Sequence, residues 1–202
     1  MSEAASLVLT HPTWRWTVDA TDAGVSSESI KSLEWEMVFK QRESLESGGE
    51  ANFSEQRQVG HYWLRDPLLA PTMGQAKAIG ETCEALKSAA AAIRSGKTLA
   101  SNGLPFRRVI HVGIGGSVLG PRFVVNALGK QTDGLHIDFV DNIDPYGILQ
   151  LLDSMGQNID NTIIIVVSKS GSTIETMTAA AIIREHMEHR GLNFARHAVA
   201  VT

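Results

Sequence analysis

Two short loops of this chain are rich in glycine and hydroxyl residues, and each follows a strongly apolar stretch. GIGGS occupies residues 113–117 after RRVIHV, and SKSGST occupies residues 168–173 after TIIIVV. Glycine lets backbone amides approach a ligand closely, hydroxyls offer further hydrogen bonds, and the amino end of a helix favours negative charge. Lys169 adds a compact positive charge. These residue types predict a binding site for an anion such as a phosphate group.

The segments around the loops predict an α/β fold from about residue 104 onward. Short runs of Val and Ile alternate with helical patterns, which is typical of a mostly parallel, doubly wound sheet with right-handed crossovers. Ligands bind such sheets at the carboxyl ends of strands, where both loops are expected. Pro121 is placed in the first turn of its helix, and Asp144 is expected to cap the next one. The predicted strands are 107–112, 136–140, 162–167 and 197–201, and the predicted helices are 118–128, 145–155 and 172–189.

The first half of the chain has a helical and irregular sequence pattern in place of the strand–helix alternation. Amphipathic patterns predict helices over 27–47 and 75–95, and the segment 95–105 has the composition of a connecting loop. We therefore expect a helical segment, residues 1–103, packed on a sheet domain, residues 104–202. The final predicted strand has no helix after it, which favours a fragment of a longer protein.

Composition excludes several classes of protein. A net charge of -4 without a long basic run argues against nucleic-acid binding, and no apolar stretch reaches the roughly 20 residues of a membrane span. The amino terminus carries Glu3 and lacks the basic-then-apolar order of a secretory signal. Cys83 is the one cysteine, so no intrachain disulfide can form, and we expect it to be buried as a small apolar residue. A cytoplasmic protein is expected, with a plastid as the alternative compartment.

Other readings of the loops are weaker. A dinucleotide fingerprint needs a third glycine where Val118 stands, and no Gly-Lys-Ser/Thr ending of a P-loop exists. Gly113–Gly116 could be a tight turn without a ligand, and SKSGST an unusually polar helix cap. Two such loops on one sheet favour the anion site, because a cap needs only one Ser or Thr.

The remaining chemistry-bearing residues predict structural roles. His186 and His189 are spaced as a metal pair but lack a patterned third ligand, so the end of a helix is the favoured place for them. His111 and His136 lie on strands and are expected to be interior or sheet-end residues. The aromatic run 61–63 is expected to pack between the first helices and the sheet. No metal, cofactor or Ser–His–Asp arrangement is expected.

Several segments together resemble the glucose-6-phosphate isomerase family, in its sugar-isomerase (SIS) type domain. HVGIGGSVLGPRFV and VVSKSGSTIETMTAA look like its two signature segments, and NIDPYG is similar to the loop between them. RQVGHYWLRDP resembles the segment that precedes the domain. Many members carry threonines and a bulky residue in the second loop, whereas this chain reads SKSGST and keeps the hydroxyls.

The resemblance implies an aldose–ketose isomerase that interconverts glucose 6-phosphate and fructose 6-phosphate, without a cofactor and as a homodimer at full length. The family's glutamate base and ring-opening groups lie in segments beyond Thr202, so none is assigned in this chain. A non-catalytic phosphosugar-binding module or sensor is the alternative. The resemblance implies that the substrate phosphate is held at Gly116, Ser117, Ser168, Lys169, Ser170, Gly171, Ser172 and Thr173.

Overall fold

The structure is a computed structural model that describes residues 7–129 and 134–202. The chain forms two compact units, Met1–Cys83 and Glu84–Thr202. Glu3 lies outside the described residues. The domain boundary expected near residue 103 and the packing of the first helices on the sheet stay predictions. None of the helices within the described ranges is both long and apolar enough to cross a membrane.

The first unit combines short helices with two small antiparallel hairpins. The hairpins are absent from our sequence-based expectation, because strands of two or three residues are too short to show a period-two pattern. A bulge interrupts the second hairpin. The elements are β1 (Val8–Thr10), β2 (Thr17–Asp19), α1 (Ser27–Lys31), α2 (Trp35–Glu46), β3 (Glu50–Asn52), β4 (Arg57–Gln58), α3 (His61–Arg65) and the first part of α4 (Met73–Arg94).

The predicted single helix over 27–47 is wrong between residues 31 and 35, since the chain leaves the helix after Lys31 and resumes it at Trp35. The hydroxyl of Ser32 donates to the carbonyl of Ser29 at 2.8 Å. The indole N–H of Trp35 donates to the carbonyl of Ile30 at 3.1 Å. These two donors satisfy carbonyls that a continuous helix would have bonded internally, so side chains end α1 early.

In the first unit, Trp63 is more buried than its neighbour Tyr62, and Cys83 is less buried than expected. Trp63 is buried, and its indole N–H donates to the carbonyl of Glu46 at 3.1 Å. Tyr62 beside it is exposed. Cys83 in α4 is half-buried, so the expectation of a fully buried cysteine is wrong.

The second unit is built on a four-stranded sheet in which all neighbours are parallel, with the order β6-β5-β7-β8. This confirms the predicted α/β fold and the strand positions to within one residue at each end. Its elements are the rest of α4, then β5 (Arg108–Val112), α5 (Gly116–Leu128), β6 (His136–Val140), α6 (Pro145–Met155), β7 (Thr162–Val167), α7 (Ile174–His189) and β8 (Ala198–Val201).

Each face of this sheet has its own apolar cluster, as expected for a sheet covered on both sides. On one face, strand residues such as Ile110 and Ile164 pack against Leu152 of α6 and Ile183 of α7. The other cluster joins Ala100, Phe106, Val109 and Ile163, with Ile93 of α4 packed against it. Because successive strand residues point to opposite faces, neighbouring Val109 and Ile110 belong to different clusters.

Two helices begin at other residues than the sequence predicts. Helix α5 starts at Gly116, two residues earlier than expected, because Gly115 makes the turn at a φ of +56°. Pro121 is therefore the sixth residue of α5 and not part of its first turn, which corrects our placement. Helix α7 starts at Ile174, two residues later than expected, because the loop extends through Thr173.

A buried histidine links three segments at the amino-terminal edge of the sheet. His197 is 1% exposed, and its Nδ1 donates to the carbonyl of Thr162 at 2.9 Å. Its Nε2 accepts from the backbone N–H of Ser101 at 3.2 Å and lies 2.7 Å from the hydroxyl of the same residue. Phe106 meets the imidazole edge-on. The ring thus ties the start of β8 to β7 and to the loop before β5.

His197→Phe should lower the free energy of unfolding by about 2–4 kcal/mol, because the half-buried Ser101 and the buried carbonyl of Thr162 lose their partner. Urea denaturation checks this. His136→Ala is the matched control, since His136 is exposed at the start of β6. Its effect should stay within about 0.5 kcal/mol. A His197→Phe protein as stable as the control would contradict the anchoring role.

Candidate phosphate-binding site

The two glycine- and serine-rich loops leave the sheet from neighbouring strands at the same edge. β5 and β7 pair in parallel, with Val112 opposite Val166. From there the chain diverges, since α5 leads to β6 on one side of β5 and α7 leads to β8 on the other side of β7. A point where the strand order reverses in this way opens a crevice at the carboxyl ends of the strands. The expectation that both loops share one edge is confirmed.

The first loop brings the start of α5 close against the end of β5. The N–H of Gly113 donates to the carbonyl of Val140 at 3.1 Å, which holds the loop to β6. A Cβ at Gly113 would lie 3.1 Å from the Cβ of Ser117, closer than side chains normally pack. Gly116 and Ser117 are the first two residues of α5, and the N–H of Ser117 donates to the carbonyl of Ile114 at 3.1 Å. The amino end of α5 therefore faces the carboxyl edge of the sheet.

The second loop is folded by its own hydroxyls. Ser168 is 5% exposed, its N–H donates to the carbonyl of Val201 at 2.9 Å, and its Oγ lies 3.0 Å from Oγ1 of Thr173. Gly171 has a φ of +66° and donates its N–H to the carbonyl of Ser168 at 3.2 Å. Ser170 Oγ accepts from both the N–H and the hydroxyl of Ser172. The loop is therefore a compact turn with a buried base.

The last hydroxyl of this loop does not cap the helix that follows it. Thr173 is the N-cap residue of α7, yet its side chain makes no capping hydrogen bond to the helix. Lys169, Ser170 and Ser172 are exposed at the tip of the loop. Hydroxyls and an ammonium group that a cap does not require are suited to an anionic ligand.

A narrow crevice, too tight to hold a water molecule, lies between the carboxyl ends of β5 and β6 and the first turns of α7. Gly113, Asn142 and Glu175 contribute to its wall. Thr176 also lines it, and the Oγ1 of this buried side chain has no hydrogen-bond partner. Thr176 is not predictable from the sequence, because a threonine inside a helix carries no distinctive pattern.

The carboxylates near the loops form an ion pair, cap a helix or lie in the first turn of a helix. Asp141 pairs with Arg122 of α5 at 2.8 Å. Asp144 caps α6 by accepting from two backbone N–H groups, as predicted. Glu175 is half-buried in the first turn of α7. Arg122 is a further residue that sequence analysis missed, because its contact depends on how α5 lies across β6.

The histidines occupy the kinds of position that the sequence predicts. His186 and His189 lie in the last turn of α7. His136 is exposed at the start of β6, with Nε2 3.2 Å from Asp138. His111 is buried on β5, with Nε2 2.8 Å from the carbonyl oxygen of Ser117.

Comparisons with known proteins agree on one relationship. A glucose-6-phosphate isomerase from Desulfitobacterium hafniense (strain DSM 10664 / DCB-2) is 42% identical over 187 residues, which is 92% of this chain and 35% of that protein. One from Geotalea daltonii is 46% identical over 167 residues, which is 83% of this chain and 32% of that protein. The crystal structure of a glucose-6-phosphate isomerase from Chlamydia trachomatis superposes with a TM-score of 0.71 at 28% identity, covering 87% of this chain and 35% of that one.

These relatives are much longer than this sequence, which spans about a third of their length. The similarity nevertheless runs through both units and includes the two loops at the edge of the sheet. The profile described as phosphoglucose isomerase matches residues 19–202, which is most of the chain. The chain belongs to the phosphoglucose isomerase family.

Proposed function

We propose that the whole protein interconverts glucose 6-phosphate and fructose 6-phosphate, and that this chain supplies the part that binds the substrate phosphate. The observation that carries the proposal is that a glycine-rich loop and a hydroxyl-rich loop follow the paired parallel strands β5 and β7 at the same edge of the sheet. The curated relatives named as glucose-6-phosphate isomerases support the reaction.

In this proposal the two loops hold the phosphate from two sides. The amino end of α5 contributes Gly116 and Ser117, where the helix dipole, the backbone of Gly116 and the hydroxyl of Ser117 favour an anion. The second loop contributes the Lys169 ammonium, the hydroxyls and the backbone around Gly171. The residues proposed to contact or adjoin the phosphate there are Ser168, Lys169, Ser170, Gly171, Ser172 and Thr173.

The catalytic base and the ring-opening groups are proposed to lie outside this chain. A base must come within hydrogen-bond reach of the substrate's C1 and C2. Asp141 and Asp144 are committed to Arg122 and to the cap of α6, and Glu175 lies at a helix start where a structural role suffices. A homodimer and a cytoplasmic location are also part of the proposal.

The full-length protein should convert glucose 6-phosphate to fructose 6-phosphate at a turnover of about 1–1000 per second, the ordinary range for an enzyme. A coupled assay that reports fructose 6-phosphate measures this directly. Unphosphorylated glucose is the matched control, since it lacks the group that the loops are proposed to hold.

Two outcomes would contradict the proposal in different ways. Tight binding of glucose 6-phosphate without turnover would identify a phosphosugar-binding module. Equal rates with glucose and glucose 6-phosphate would show that the loops do not select a phosphate.

A further inference from the structure

The carbonyl of Ser117 sits at a place where its helix cannot supply the usual hydrogen bond. In an α-helix the carbonyl of one residue accepts from the N–H four residues later. For Ser117 that residue is Pro121, the sixth residue of α5, and proline has no N–H. The Ser117 carbonyl therefore needs a donor from outside α5.

His111 is that donor. Its Nε2 lies 2.8 Å from the carbonyl oxygen of Ser117. A carbonyl can only accept, so Nε2 carries the proton and donates it. The imidazole is 8% exposed on the central strand β5, where a polar side chain needs a specific partner. The close approach at Gly113 brings the start of α5 within reach of the ring.

The ring of His111 is itself held by a short chain of contacts. It packs against Phe139 of β6, with 5.3 Å between the ring centroids. The guanidinium of Arg122 lies over the Phe139 ring, 5.2 Å from its centroid, and forms an ion pair with Asp141 at 2.8 Å. Thus α5 is fastened to the sheet twice, by His111 at its first turn and by Arg122 one turn later.

We propose that His111 is a positioning residue for the phosphate site. It replaces the backbone N–H that Pro121 lacks, and so fixes the first turn of α5, where Ser117 meets the phosphate. This inference rests on the proposed function, since it concerns the same anion site. His111 does not touch the substrate, and its effect is transmitted through the Ser117 backbone.

The first test compares His111→Leu with His111→Gln in the full-length protein. Leucine removes the donor, and KM and Kd for glucose 6-phosphate should rise about three- to ten-fold, the value of one ordinary hydrogen bond. The kcat should be unchanged, because the chemistry occurs elsewhere on the substrate. Glutamine keeps an N–H at similar reach and should restore most of the affinity. A merely structural role would lower the amount of active protein and leave KM unchanged.

His197→Leu is the matched control for burial. His197 is also a buried histidine that donates to a backbone carbonyl, but it does so at the opposite edge of the sheet. This variant should lower the melting temperature without raising KM. A KM rise as large as that of His111→Leu would show that loss of stability, and not of positioning, is being measured.

Pro121→Ala gives the decisive rescue. Alanine restores the helical N–H that can bond the Ser117 carbonyl, so the double variant His111→Leu with Pro121→Ala should recover affinity that His111→Leu alone loses. A double variant that binds as weakly as His111→Leu would overturn the proposal. So would a His111→Leu protein with wild-type KM and Kd.

A measurement on the unsubstituted protein covers the case in which His111→Leu fails to fold. With ¹⁵N-labelled histidine, the Nε2–H signal of His111 should shift saturably as inorganic phosphate is added, and an unmoved signal while phosphate binds would overturn the proposal. Failure of the proposed function looks different. In that case neither glucose 6-phosphate nor inorganic phosphate binds the unsubstituted protein, and Ser117→Ala causes no loss of affinity.

Discussion

The isolated 202-residue chain is expected to leave glucose 6-phosphate unconverted in the coupled assay proposed for the full-length protein. Moving a proton between C1 and C2 needs a base whose geometry allows contact with the substrate carbons. Near the two loops, Asp141 forms an ion pair with Arg122 and Asp144 caps α6. Glu175 lies in the first turn of α7. The chain also spans only about a third of its isomerase relatives.

The same assay shows what would contradict this expectation. A turnover of about 1–1000 per second from the isolated chain would place the base inside it. Glu175→Gln would then be the first variant to make, since Glu175 lines the crevice at the edge of the sheet. Circular dichroism of the isolated chain controls for folding, so that inactivity is not confused with an unfolded sample.

Removal of the Lys169 ammonium should weaken glucose 6-phosphate binding by the full-length protein by about one to two powers of ten. A hydrogen bond to a charged group contributes roughly 1.5–3 kcal/mol, which sets this range. Lys169→Met keeps much of the side chain's length and removes only its charge and donors. Ser117→Ala, which removes one hydroxyl from the other loop, should also weaken binding substantially. Isothermal titration calorimetry gives each Kd.

Lys97→Met is the matched control for the lysine. Lys97 is exposed in the loop that precedes β5, away from the carboxyl edge of the sheet. Its substitution should leave the Kd unchanged. If Lys169→Met and Lys97→Met bind equally well, Lys169 is a solvent-facing residue and the anion-site assignment is wrong. Thermal melts should show no loss of stability for either variant, because these side chains bury little apolar area.

The second unit could be predicted well from the sequence because its signals are local. Runs such as TIIIVV are long and apolar enough to be recognised as buried strands, and Asp144 with Pro145 marks the start of α6 unambiguously. Gly191, with a φ of +76°, follows the end of α7 as expected for a helix terminator. The shared edge of the two loops then follows from the parallel sheet.

The contacts that distinguish this site could not be predicted, because they depend on tertiary packing. The apolar pattern predicts the start of α5 two residues late and so puts Pro121 in the first turn. That placement hides the Ser117 carbonyl, which Pro121 cannot bond and His111 does. His111 was expected to be an interior residue, but its partner depends on how closely α5 approaches β5. In the first unit, the break between α1 and α2 depends on the side chains of Ser32 and Trp35, which the apolar pattern does not reveal.

A crystal structure of the full-length protein with bound glucose 6-phosphate tests the central claim most directly. The phosphate should lie between the first turn of α5 and the loop 168–173, with the Ser117 hydroxyl and the Lys169 ammonium within hydrogen-bond distance of its oxygens. The sugar ring should extend away from both loops toward groups outside this chain. A phosphate bound anywhere else, with both loops empty, would contradict the account.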